Sequence, residues 1–165
     1  MNKKRIGIYP GNFDPITFGH MDIIKRSLRI VDDLIIGVAD NINKNSIFSI
    51  SDRKKMIEKD IQDNFKDSKR IHIKHIKGLL INYSEKNNVN CIIRGLRAVS
   101  DYEYELKMTG MNYQLNPSIE TIFFMSSDKN SFISSNFVKE VFQLGGDVSK
   151  FVSQNTINIL DHKNI

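Results

Sequence analysis

The chain predicts an α/β fold: a doubly wound sheet of five parallel strands with helices packed on both faces. Three observations point there. Strand-like and helix-like stretches alternate along the 165 residues, the order produced by connected βα units. The run Leu34, Ile35, Ile36, Val38 is almost continuously apolar, as in strands covered on both sides. The stretch Tyr9-Pro10-Gly11-Asn12-Phe13-Asp14-Pro15-Ile16-Thr17-Phe18-Gly19-His20 reads as a strand end, a turn and a helix start.

Each element follows from local pattern. Residues 4–9 form a short apolar strand, and residues 19–31 a helix with Ile23, Ile24, Leu28 and Val31 at helical spacing. Residues 33–40 are the second strand, and a polar loop carrying Lys44 follows. Ser51 suits an N-cap for a helix from 52 to about 65, with Met56, Ile57 and Ile61 on its apolar face. Residues 70–77 alternate at period two, and Gly78 ends them. A short helix spans 79–87, and a fourth strand spans 89–93 and ends at Arg94-Gly95-Leu96-Arg97. Ser100 or Asp101 opens a longer helix to about 115, stopped by Asn116-Pro117. Residues 119–125 form the fifth strand. Ser134 or Ser135 caps a helix to 144, which Gly145-Gly146 ends. Beyond lies a polar tail with one amphipathic stretch, 152–160.

The totals narrow the function classes. The length suits one domain, residues 1–165. Hydrophobic residues are 40% and charged residues 26%, the balance of a soluble protein. No apolar run is long enough for a membrane span or a signal peptide, and the lone Cys91 fits a reducing cytoplasm. The net charge of +5 comes from scattered residues with no Arg-rich run, so small phosphorylated ligands are expected and nucleic acid is not. His72 and His75 fall on opposite faces of one strand and cannot share a metal ion.

Topology then locates the site. Ligands of such sheets sit beyond the carboxyl ends of the strands. The loops there hold Asn12 to His20, Lys44, Arg94 to Arg97 and Asn130 to Asn136, all rich in donors for phosphate. A strand-to-helix turn adds unpaired N–H groups and the positive end of a helix dipole. Gly19 lets the backbone approach an anion, and the His20 imidazole can donate to it. Ser131-Phe132-Ile133-Ser134-Ser135-Asn136 places hydroxyls at a second helix start. Both segments also have a plain structural reading, a helix start with a surface His and ordinary helix capping. Arg94 equally suits an ion pair with Asp101 or Glu103, and Asp14 the shaping of its turn.

Taken together, the motifs resemble one family. Residues 9–20, Ile93-Arg94-Gly95-Leu96-Arg97-Ala98-Val99, Asp101-Tyr102-Glu103-Tyr104-Glu105 and Ser131-Phe132-Ile133-Ser134-Ser135 look like the segments of bacterial phosphopantetheine adenylyltransferases. These are members of the nucleotidyltransferase superfamily with T/H-x-G-H and I-S-S signatures. The resemblance implies a Rossmann-like nucleotidyltransferase fold and transfer of the adenylyl group of ATP to 4′-phosphopantetheine, giving dephospho-coenzyme A and pyrophosphate. It implies His20 as the transition-state contact, and Asn12, Lys44, Leu80 and Arg94 on the acceptor side. It further implies ATP contacts from Asn12, Phe13, His20, Gly95, Leu96, Arg97, Glu105, Asn130, Ser131, Phe132, Ile133, Ser134, Ser135 and Asn136. Mg²⁺ held by ATP phosphates and water, coenzyme A as a feedback ligand and a homohexamer are implied as well. This chain departs from the family at three positions: a hydroxyl residue is usual where Asn12 stands, an aromatic where Asn130 stands, and Ser where Asn136 stands. The competing expectations are a sibling enzyme acting on nicotinamide mononucleotide or glycerol phosphate, and a non-catalytic nucleotide- or nucleic-acid-binding module.

Overall fold

The computed structural model describes residues 4–39, 46–97, 99–127 and 130–163, with the side chains of 99 and 100 set aside. Lys44 lies outside the described residues. The elements run β1 (Ile6–Gly11), α1 (Phe18–Ser27), β2 (Asp33–Ala39), α2 (Ile50–Asn64), β3 (Ile71–Ile76), α3 (Leu80–Lys86), β4 (Cys91–Leu96), α4 (Val99–Leu115), β5 (Glu120–Met125), α5 (Ser135–Gln143) and α6 (Gln154–His162). All strands are parallel in the order β3-β2-β1-β4-β5. The doubly wound sheet is therefore as expected.

The chain winds outward from β1 through β2 to β3, then returns past β1 to β4 and β5. Strand order thus reverses between β1 and β4, the position where such sheets open a crevice. Pairing shows the opening directly. β1 pairs β2 along its whole length, from Ile6 with Asp33 to Gly11 with Val38. It pairs β4 only at Gly7 with Cys91 and Ile8 with Ile92. Past Ile8 the two central strands part.

Two cores flank the sheet because side chains alternate along each strand. Tyr9, Leu34, Ile36 and Ile93 pack against Ile23 and Ile24 of α1, Met56, Ile57 and Ile61 of α2, Val138 of α5 and Leu160 of α6. Ile8, Ile35, Ile76 and Ile92 pack on the other face against Ile81 of α3. α4 joins that second face through Glu105, which pairs with Arg94.

Three sequence expectations change in detail. α2 is capped by Ser49, whose hydroxyl accepts the Asp52 N–H at 3.1 Å, so the helix starts before Ser51. Arg94, Gly95 and Leu96 lie inside β4 instead of after it. The supposed polar tail is part of the first core: Val148, Val152 and Leu160 are buried. Its backbone also reaches α1, where the Phe151 carbonyl accepts the Phe18 N–H at 2.9 Å. Gly145 takes φ +77° after α5, the left-handed turn expected of it.

Candidate active site

One cleft of about 730 Å³ lies where β1 and β4 part. The turn after β1 forms its floor. Phe13 sits at φ 50° with its ring buried, edge-on to Tyr9 at 5.5 Å and to His20 at 4.9 Å. That ring folds back over Gly11, where any Cβ would come within 2.9 Å of it. Asp14 is fully buried, and the partners of its carboxylate lie outside its own turn. Its carboxylate accepts the N–H groups of Ile47 (3.1 Å) and Phe48 (2.9 Å) and pairs with Lys139 of α5 at 2.7 Å.

Thr17 and His20 cap α1 reciprocally. The Thr17 hydroxyl accepts the His20 N–H at 3.4 Å, and His20 Nδ1 accepts the Thr17 N–H at 3.0 Å. A nitrogen that accepts carries no proton, so the neutral ring must bear its hydrogen on Nε2. Burial first, then the nearby Arg97 charge, pushes the His20 pKa down to about 4. At neutral pH this side chain is an uncharged Nε2–H donor lining the cleft. The free N–H groups expected at the start of α1 are fewer than a bare helix end would offer. Phe18 donates to Phe151 and His20 to Thr17, which leaves Gly19 as the N–H of that first turn with no acceptor among the described residues.

Arg94 spans the two central strands. Its Nε donates to Glu105 Oε2 at 2.7 Å, Nη2 bonds Oε1 of the same carboxylate, and Nη1 donates to the Pro10 carbonyl at 2.9 Å. Its ion-pair partner is thus Glu105; neither Asp101 nor Glu103 fills that place. Arg97 is the residue that pairs with Asp101, at 3.1 Å. Asn12 lies opposite, at the end of β1. Its Oδ1 accepts from Arg53 Nη1 at 2.6 Å and from the Ser46 hydroxyl at 3.2 Å.

The serine segment closes the remaining side. Ser134 caps α5 by accepting the Phe137 N–H at 3.1 Å, which leaves its own hydroxyl hydrogen available. Ser135 donates to the Pro15 carbonyl at 2.7 Å and so binds the segment to the floor. A Cβ at Gly19 would lie 3.8 Å from the Asn130 carbonyl oxygen and 3.9 Å from that of Ile133, so α1 and this segment face each other.

Asn12, Phe13, His20, Leu80, Arg94, Gly95, Arg97, Glu105, Ile133, Ser134, Ser135 and Asn136 all line the cleft. Leu96, Asn130, Ser131 and Phe132 do not; Leu96 is buried, and Phe132 is 64% exposed with its ring edge-on to Phe151. Sequence reasoning missed Arg53, Asn112 and Lys139. Asn112 is buried on α4 and lines the cleft, yet its side chain bonds none of the described residues. The capping box did leave a trace, since Thr17 and His20 stand at N-cap to N3 spacing with His in place of the usual Glu. Arg53 left none because it sits between Asp52 and Lys54 on a polar stretch of helix, and Asn112 left none because the apolar residues around it on α4 mark no single face.

Cations and carboxylates here are largely matched. Asp14 is held by Lys139, Glu105 by Arg94 and Asp101 by Arg97. Among the described residues no three His, Cys, Asp or Glu side chains are grouped to hold a metal ion. What the cleft offers is donors: Nε2–H of His20, the amide of Asn12, guanidinium groups, a hydroxyl and a backbone N–H. That set suits a polyanion.

Known proteins resemble this chain in sequence and fold. A family model described as cytidylyltransferase-like matches residues 8–141. A phosphopantetheine adenylyltransferase of Wolbachia pipientis wMel is 52% identical over 160 residues, covering 97% of this chain and 94% of its own. One of Pelagibacter ubique (strain HTCC1062) is 46% identical over 161 residues, covering 97% and 98%. Among solved structures, a Plasmodium falciparum nicotinic acid mononucleotide adenylyltransferase complexed with NaAD superposes with a TM-score of 0.76 over 99% of this chain and 97% of its own. At 19% identity that likeness is one of fold.

Proposed function

The chain belongs to the cytidylyltransferase-like family and, within it, to the phosphopantetheine adenylyltransferases, and from that premise we propose how its cleft transfers the adenylyl group of ATP to 4′-phosphopantetheine. The products are dephospho-coenzyme A and pyrophosphate, a step of coenzyme A biosynthesis. The observation that carries the reading is the convergence of His20, Asn12, Arg94 and Ser134 on one crevice between β1 and β4.

The chemistry asks for positioning. An oxygen of the acceptor phosphate, anionic at neutral pH, forms a bond to the α-phosphorus. The bond from that phosphorus to the oxygen bridging to the β-phosphate breaks, and pyrophosphate departs with the electron pair. No general base and no covalent enzyme intermediate are needed. The barrier lies in bringing two anions together and in the charge that grows on the α-phosphate oxygens during in-line displacement. His20 Nε2–H meets that charge as a neutral donor. Asn12, together with Lys44, orients the attacking phosphate. Arg94, held by Glu105, binds the acceptor, and the backbone at Leu80 lines the pantetheine arm. Gly95, Arg97 and residues 133–136 take the nucleotide, the latter through backbone N–H groups at the start of α5 and the Ser134 hydroxyl. For Glu105 the proposed nucleotide contact takes second place to holding Arg94, since both its oxygens bond that guanidinium.

ATP enters as its Mg²⁺ complex. Among the described residues every carboxylate lining the cleft already has a cationic partner, so the ion would ride on the triphosphate and water. Coenzyme A shares the pantetheine and adenosine parts of the two substrates, which supports it as a feedback ligand of the same cleft. A homohexamer is supported by α4, where Tyr104, Leu106, Met111, Tyr113 and Leu115 are each more than half exposed. We read residues 1–165 as one domain working in the cytoplasm; no described helix is long and apolar enough to cross a membrane.

The test incubates the protein with ATP, Mg²⁺ and 4′-phosphopantetheine and measures pyrophosphate. Parallel reactions replace the acceptor with nicotinamide mononucleotide or glycerol phosphate. Pyrophosphate with the pantetheine acceptor alone is the expected result, and turnover of another acceptor in its place overturns the reading.

A further inference from the structure

Arg53 of α2 is buried, 1% exposed, and does three things at once. Its Nε donates to the Phe48 carbonyl at 3.0 Å, just before its own helix. Its Nη1 reaches Ala39 O at the end of β2 (3.2 Å) and Asn12 O at the end of β1 (2.8 Å). The same nitrogen lies 2.6 Å from Asn12 Oδ1, and the Ser46 hydroxyl lies 3.2 Å from that oxygen.

A guanidinium can only donate. The Asn12 side-chain atom facing it must therefore be the carbonyl oxygen, and Nδ2 must sit on the opposite side of the amide. Nδ2 bonds none of the described residues, and Asn12 lines the cleft. With its acceptor held by Arg53 and Ser46, Asn12 offers the cleft two N–H donors and no acceptor. A hydroxyl residue at this place would rotate and could serve in either sense; an amide gripped on its oxygen cannot.

We propose that Arg53 is a positioning residue for the transfer reaction: by gripping Asn12 Oδ1 it fixes the Asn12 amide as a dedicated donor to the acceptor phosphate. Asn12 then selects a phosphate over a hydroxyl-bearing group at that point, and Arg53 sets that preference without touching the substrate. The inference rests on the adenylyltransferase reading above.

The test compares wild type, Arg53→Lys, Asn12→Ala, the double variant and Asn12→Asp, all as the full chain. Turnover, KM for each substrate and thermal melting are measured for every protein. Arg53→Lys is expected to raise KM for 4′-phosphopantetheine roughly tenfold, with KM for ATP changed less than about twofold. In the Asn12→Ala background the same substitution should leave acceptor KM within about twofold, because the group it orients is gone. Asn12→Asp keeps the grip on Arg53 but turns a carboxylate oxygen toward the phosphate. It should melt at or above the wild-type temperature while acceptor KM rises by about two orders of magnitude. A purely structural role predicts otherwise: Arg53→Lys would weaken both substrates alike, or would cost as much with Ala at position 12. Either result overturns the proposal. A wild-type protein that releases no pyrophosphate with 4′-phosphopantetheine overturns the activity reading itself, and that arm is scored before any variant.

Discussion

His20 Nδ1 accepts the Thr17 backbone N–H at 3.0 Å, so the residue that caps α1 is also the one whose other ring nitrogen is left to donate into the cleft. In the proposed reaction, capping and chemistry are joined in one imidazole. His20→Ala should lower kcat by roughly 10²-fold or more while leaving substrate KM values near normal. It should also cost about 1 kcal/mol of stability through the lost cap. Steady-state kinetics with a denaturant titration separates the two effects, and near-normal turnover in this variant would remove His20 from the reaction.

The depressed pKa gives a pH signature. A His whose folded pKa lies near 4, below its ordinary 6.5, binds fewer protons folded than unfolded between those values. Its contribution to stability is thus fully present above about pH 6.5 and is lost as pH falls toward 4. The rate should show no inflection from this group between pH 5.5 and 8, because the neutral ring persists throughout. An NMR titration of the His20 ring checks both statements, and a midpoint near 6.5 contradicts them.

Arg94 and Glu105 form a partly buried, two-armed pair across the cleft wall. Glu105→Gln leaves the guanidinium without its counter-charge and should destabilise the protein by roughly 3 kcal/mol. Acceptor KM should rise more than kcat falls, since the loosened group is on the binding side. Denaturant melts and kinetics on the same sample report both.

Lys139 closes the ion pair beneath the floor of the cleft. Lys139→Met strands the fully buried Asp14 with only two N–H partners and should cost roughly 3 kcal/mol. Asp14 also holds the backbone at Ile47 and Phe48, so hydrogen exchange at those two amides should quicken in this variant. Unchanged exchange would show that the pair does not brace that loop.

The exposed apolar residues of α4 are the surface on which the proposed homohexamer is tested. Leu106→Glu combined with Met111→Glu should reduce the particle mass measured by light scattering at a fixed protein concentration. An unchanged mass would place any assembly interface elsewhere.

Much of this was legible in the residues because it is written locally. The alternation of strand and helix patterns specifies the sheet, and the sheet's topology specifies which loops meet. What stayed hidden depends on long-range partners. Arg53 reads as one more polar residue in a helix, and its burial follows only once β1 and β2 end beside it. Asn112 lies on a helix whose apolar residues follow no single face, so no periodicity marks the side turned toward the cleft. Ser49 and Ser51 both suit a cap by composition; the hydrogen bond from the Phe48 N–H to the distant Asp14 carboxylate holds the chain just before Ser49 and decides for the first. The segment after α5 looks like a solvated end because its three buried apolar anchors are spread over 13 residues, Val148 to Leu160.

That segment sets an order of events during synthesis. Chains grow from the amino end, and the described residues that line the cleft have all been made once Asn136 is added. The stretch that fills the space beside α1 and α2, and that hydrogen-bonds Phe18 and Asp60, is made afterwards. A nascent chain stalled between these points carries the cleft residues on an open, unsealed core, which is material for chaperones and proteases in place of a half-working enzyme.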